Sequence, residues 1–115
     1  MNGLLDFFKV VSDEMRLRIL ILLSKEELCG CEICAILNLP QPKVSQHLAK
    51  LRNLGFVQDT RQGKWVFYSL RIEDPVMKMI LETIAGNTQQ YPNLSQDIRR
   101  LAKLNHAGCQ GEINE

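Results

Sequence analysis

The chain has 115 residues, of which 45% are hydrophobic and 23% charged, with a formal net charge of +1. This suits one domain with a modest core and leaves out a transmembrane helix, because no run of about 18 apolar residues occurs. The N-terminus lacks the basic start and small-residue cleavage site of a secretory signal, so a cytoplasmic protein with reduced thiols and no membrane partner is expected.

Leu4, Leu5, Phe7, Phe8 and Val11 recur at helical spacing and predict a first helix over 4–11. Ser12 and Asp13 offer a cap to a second helix, 14–24. Its Met15, Ile19, Leu20, Leu22 and Leu23 form a broad apolar face, with Arg16 and Arg18 at polar positions, so it belongs at the centre of the core. Residues 27–34 read Glu-Leu-Cys-Gly-Cys-Glu-Ile-Cys and lead into a short third helix bearing Ile33, Ile36 and Leu37. Asn38, Leu39 and Pro40 end it. Pro42 suits the first turn of a fourth helix, 42–54. Val44, Leu48, Leu51 and Leu54 are its inward stripe and Gly55 its stop. Two helices joined by about four residues make a helix-turn-helix.

After Gly55 the hydrophobic period becomes two. Phe56–Thr60 and Trp65–Leu70 read as strands joined by Arg61, Gln62, Gly63 and Lys64, with Gly63 able to take positive φ. Asp74 and Pro75 start a further helix that runs to Ala85 and stops at Gly86. Val76, Met77, Met79, Ile80, Leu81 and Ile84 give it more apolar surface than one small core can cover. Leu4, Phe8, Val76, Met79, Ile80 and Ile84 are therefore the expected homodimer interface. A polar loop over 87–93 precedes a last helix, Leu94–Asn105, with Ile98, Leu101 and Leu104 on one side. The expected class is mainly α with a β-hairpin (α+β): a winged helix-turn-helix in the order α-α-α-α-β-β-α-α, forming a homodimer. Residues 1–105 are expected to form this winged helix-turn-helix and dimerisation domain, and 106–115 a flexible tail.

The charge is unevenly spread. Residues 41–72 hold six Lys and Arg against Asp59 alone, while the remainder holds eight basic and twelve acidic residues. A basic third on an acidic scaffold is the footprint of a polyanion partner, here double-stranded DNA. On the fourth helix the face opposite the apolar stripe carries Pro42, Gln46, Lys50 and Asn53, flanked by Lys43 and His47 on one edge and Ser45 on the other, and Gln41 just before the helix is a further expected DNA contact. Gln can pair with adenine edges, Lys with guanine or phosphate, and Ser with several bases. Arg61 and Lys64 at the hairpin tip would reach phosphates or the minor groove.

Cys29, Cys31 and Cys34 lie within six positions and suit a soft, thiophilic ion. In a helix Cys31 and Cys34 share a face, whereas Cys29 and Cys31 point apart. All three converge only if the backbone near 29–31 leaves regular helix, which Gly30 makes easy. Ligation would then compete with the start of the third helix and disturb the DNA reader. Glu27 and Glu32 supply no soft ligand and are expected as surface charges. Structural zinc takes four ligands, and Cys109, His106 and His47 are all distant in sequence. A trigonal ion such as As(III) or Sb(III) is satisfied by three thiolates. Buried inert cysteines and a thiol redox switch are the alternatives. The Cys31–Cys34 pair has no βαβ setting, which argues against a thioredoxin-like enzyme.

Four motifs, SDEMRLRIL at 12–20, ELCGCEIC at 27–34, QPKVSQHLAKLR at 41–52 and RQGKWVFYSL at 61–70, resemble the ArsR/SmtB family of winged-helix repressors, specifically its arsenical-resistance branch. The resemblance covers roughly 4–105. It implies that Cys29, Cys31 and Cys34 carry an As(III)/Sb(III) inducer site. It also implies a homodimer on an inverted-repeat operator, with no organic cofactor and no enzymatic activity. Gly30 stands where that branch typically has Val, Glu32 and Ile33 where it has Asp and Leu, and Gln46 where it often has Arg. The related cadmium/lead sensors add N-terminal cysteines, and none precedes Cys29. The zinc sensors use His on the dimer helix, and 74–85 has none. A Cd/Pb/Zn-responsive repressor of the same fold and a thiol redox-switched DNA-binding regulator remain as alternatives.

Overall fold

The computed structural model describes residues 2–104. The expectations for Asn105, His106, Cys109 and the tail 106–115 lie outside the described residues. The elements in order are α1 (Asn2–Val11), α2 (Glu14–Lys25), β1 (Leu28–Cys29), α3 (Gly30–Leu37), α4 (Gln41–Asn53), β2 (Val57–Gln62), β3 (Trp65–Leu70), α5 (Pro75–Ala85), a 3-10 turn (Thr88–Gln90) and α6 (Pro92–Leu104).

α2 runs through the middle of the core, and its residues Arg18 to Leu23 are all buried. Asp13 caps it, accepting the Arg16 N–H at 3.0 Å. Around it pack Phe7 and Val10 of α1, Ile33 and Ile36 of α3, Leu48 and Leu51 of α4, and Leu81 of α5. Phe7 meets Phe56 edge to face, with ring centroids 5.9 Å apart, a favoured aromatic geometry. α4 ends at Gly55, whose φ of 83° provides the left-handed turn. The Phe56 N–H then bonds back to the Leu51 carbonyl and the Gly55 N–H to that of Arg52, a Schellman closure.

The wing is a hairpin in which Val57 to Gln62 pair with Leu70 to Trp65 in antiparallel register. A two-residue turn joins the strands, with Gly63 at φ 63°, the arrangement such hairpins favour. A third strand joins it. Leu28 pairs with Tyr68 and Cys29 with Phe67, so the sheet order is β1-β3-β2. The sequence reading of a two-strand hairpin missed β1, because two residues carry no period.

Arg18 is a second departure from the sequence reading. It is 8% exposed and forms a bidentate pair with Asp97, which is 1% exposed. The bonds are 2.8 Å from Nε and 2.9 Å from Nη2. The Asp97 hydrogen bond raises the guanidinium pKa above its usual value, against the opposing effect of burial. Glu14 adds a bond at 3.2 Å. This pair fastens α6 to α2. α6 also begins at Pro92, two residues before the expected Leu94.

α5 is capped as expected: Asp74 accepts from Val76 at 2.8 Å and Met77 at 3.2 Å. Met77 and Leu81 are buried. Val76 is 52% exposed and Met79 64%, while Leu5 and Phe8 of α1 are also exposed. Leu4, Ile80 and Ile84 are half-buried against the core. A Cβ added at Gly3 would stand 3.7 Å from Met77 Cε, so α1 and α5 are neighbours.

Candidate functional site

The cysteine stretch straddles a strand and a helix. Cys29 is the last residue of β1 and the N-cap of α3, with an extended backbone at φ −82° and ψ 163°. Gly30 starts the helix. The backbone thus leaves the helix where the i, i+2 argument required. Cys29 Sγ lies 2.9 Å from Cys31 Sγ. This separation is longer than the ~2.05 Å of a disulfide bond. Bringing these two sulfurs together needs no melting of α3, which removes that part of the expected competition between ligation and helix start.

Cys34 lies one turn after Cys31, and both are half-buried. They line one cleft of about 210 Å³. Its other walls are Gln41 and Ser45 at the start of α4, and Lys64 and Trp65 of the wing. Among the described residues, no three or more His, Cys, Asp or Glu side chains are already grouped to hold a metal ion. The donor set still fits a thiophilic ion: two soft sulfurs touch and the third opens onto the same cleft.

Glu32 is not a surface charge. It is 2% exposed, and its Oε1 accepts the Cys29 N–H at 2.9 Å. A carboxylate in the first turn of a helix meets the positive end of the helix dipole, and the bond is the reciprocal half of a capping box. The spacing Cys29-x-x-Glu32 was the available signal, with Cys standing where Ser or Thr usually does. Glu27 is exposed, as expected.

The other end of α3 is closed by Asn38, whose φ is 55°. Its N–H and that of Leu39 return to the Cys34 carbonyl. Arg100 of α6 donates to the Ile36 carbonyl at 2.8 Å. Neither Arg100 nor the Arg18–Asp97 pair is evident from sequence, since their partners lie 64 and 79 positions away.

On α4, Gln41, Lys43, Ser45, Gln46 and Lys50 are exposed and His47 is half-buried. Val44, Leu48 and Leu51 face the core. Arg61 and Lys64 are exposed on the wing. Asp59, the acid of this basic segment, pairs with Arg52 at 3.1 Å on the surface, a contact that adds little stability. Tyr68, whose ring stands 3.8 Å from a Cβ added at Gly30, has its pKa raised, first by burial and then by Asp59.

Residues 13–59, from the α2 cap through the sensor stretch and α4 into β2, match the family described as bacterial regulatory protein, arsR family. The chain is 41% identical to the arsenic resistance transcriptional regulator ArsR1 of Pseudomonas putida strain KT2440, covering 84% of this chain and 76% of the relative. The chain belongs to the ArsR family. It is 40% identical to the arsenical resistance operon repressor of Escherichia coli K12, over 90% of this chain and 89% of that one. Among solved structures, HlyU from Vibrio cholerae superposes with a TM-score of 0.67 at 32% identity, covering 78% of this chain and 92% of that one. As an ArsR-family member the chain is a DNA-binding transcriptional regulator and not an enzyme. Its winged helix-turn-helix is the fold of that family.

Proposed function

We propose that this chain is a metalloid-responsive repressor, in which Cys29, Cys31 and Cys34 bind As(III) or Sb(III) and binding releases operator DNA. The observation that carries this reading is the position of Cys29. It stands outside the helix, its sulfur touches that of Cys31, and Cys31 and Cys34 open onto a cleft walled by the start of α4 and the wing. Arsenical-resistance regulators among the relatives support the choice of inducer.

The chemistry balances without an added reactant. Arsenous acid condenses with three thiols: three S–H protons leave with three As–OH hydroxides as water, and three As–S bonds form. Zinc or cadmium would instead displace protons into solution. Drawing the Cys34 sulfur toward the other two narrows the cleft and shifts Gln41, Ser45 and Lys64 relative to one another. Lys43, Ser45, Gln46 and His47 read the major groove, Lys50 follows along the helix, and Arg61 and Lys64 hold phosphates. The apolar faces of α1 and α5, with Leu4, Phe8, Val76, Met79, Ile80 and Ile84, pair two copies, and the two α4 helices then meet an inverted-repeat operator in the cytoplasm.

Fluorescence anisotropy on a labelled operator fragment, titrated with arsenite, Cd(II) and Zn(II), tests this directly. Arsenite should release the wild-type protein and leave Cys29→Ser, Cys31→Ser and Cys34→Ser bound. Failure of arsenite to release wild type would end the metalloid reading. Release by Cd(II) or Zn(II) alone would favour a divalent-metal sensor. Release by oxidant, reversed by dithiothreitol, would favour a redox switch.

A further inference from the structure

Resting on the metalloid reading, we infer that Glu32 is a positioning residue for the sensor: its buried carboxylate holds Cys29 where its sulfur can join Cys31 and Cys34 on one ion. Carboxylates are rarely this buried without a structural or functional reason. A hard oxygen donor is a poor ligand for a thiophilic ion, so Glu32 acts through its neighbour rather than on the metalloid. Its Oε1 accepts the Cys29 N–H at 2.9 Å, which closes a ring across Cys29, Gly30, Cys31 and Glu32. Within the same four residues the two sulfurs lie 2.9 Å apart.

Cys29 is held from a second side by its pairing with Phe67 of the wing strand. Its backbone is thus fixed between the start of the sensor helix and the wing. Without the carboxylate, the Cys29 N–H loses its acceptor, and Cys29 keeps only the other half of the capping box and its pairing with Phe67. The cost then falls on ligation, which must reorder Cys29 before three sulfurs can converge.

A plain helix cap predicts something different. It would stabilise α3 equally with and without ligand, so its loss would weaken operator and metalloid binding together. Two variants separate these roles. Glu32→Met fills the buried volume without an acceptor, and Glu32→Gln keeps the acceptor without the charge. Each is titrated with arsenite in the absence of DNA, followed by arsenic–thiolate absorption in the near ultraviolet, and separately with operator DNA by anisotropy.

Glu32→Met should weaken arsenite binding by about tenfold, the scale of one buried hydrogen bond. Glu32→Gln should stay within about threefold of wild type, and operator affinity without arsenite should move by less than about threefold in both. Unchanged arsenite binding in Glu32→Met overturns the inference, as does an equal loss of arsenite and operator affinity. If Glu32→Met does not fold, Glu32→Leu takes its place: it also removes the acceptor and should lose arsenite affinity about tenfold with operator affinity kept, and unchanged arsenite affinity there overturns the inference. Wild type without any arsenite-dependent absorption would remove the metalloid reading itself. A responsive wild type beside an equally responsive Glu32→Met removes only the role of Glu32.

Discussion

The two ends of α3 are built to different standards, and the sensor cysteines span both. At the C-terminal end, Asn38 and Leu39 close on the Cys34 carbonyl, and Arg100 reaches the Ile36 carbonyl from α6. α6 is itself fastened to α2 by the buried Arg18–Asp97 pair. At the N-terminal end, a two-residue strand and the Cys29–Glu32 capping box hold Cys29. In the proposed mechanism, ligation that gathers three sulfurs would work between a fixed end and an adjustable one, with the movement falling on β1, Gly30 and the wing strand rather than on α6.

Removing the fixed end should have the largest effect. Asp97→Ala leaves the Arg18 guanidinium buried without its main partner and should cost about 3–5 kcal/mol in urea denaturation. A loss below about 1 kcal/mol would mean that the pair does not anchor α6. Arg100→Met keeps the aliphatic stem and removes the bond to Ile36, so it should cost about 1 kcal/mol. Its amide exchange should quicken at Asn38 and Leu39 and stay unchanged at Cys29. Quickening at both ends would erase the distinction between them.

The wing offers a smaller test. Lys64 lies beside the cleft and at the hairpin tip, so Lys64→Ala should weaken operator binding several-fold and lower the salt-dependence slope by about 0.9. The arsenite concentration for half-release should stay within about threefold. Arsenite affinity should also change little with pH wherever the thiols are protonated, because condensation takes up and releases no net proton. Cd(II) or Zn(II) affinity should rise with pH as thiols deprotonate.

Much of this was legible in the sequence. Helical spacing placed α1, α2, α4 and α5, and Asp13 and Asp74 marked caps that the structure retains. Gly55 and Gly63 marked turns that both take positive φ. The cysteine cluster announced itself by composition. What was missed depends on distance or brevity. β1 is too short to show a period. The Arg18–Asp97 and Arg100–Ile36 contacts join residues that only the folded chain brings together. Glu32 was misread because a Glu supplies no soft ligand and charged side chains are mostly solvated, yet the extended Cys29 turns its N–H toward the first helical turn, where the carboxylate meets it.

The most direct test of the central claim is arsenic K-edge X-ray absorption on the full chain loaded with one equivalent of arsenite. Three sulfur neighbours and no arsenic–oxygen shell are expected in wild type, with one sulfur replaced by oxygen in Cys29→Ser. Two sulfurs and an oxygen in wild type, or an unchanged sulfur count in Cys29→Ser, would contradict a site that recruits Cys29 from outside the helix.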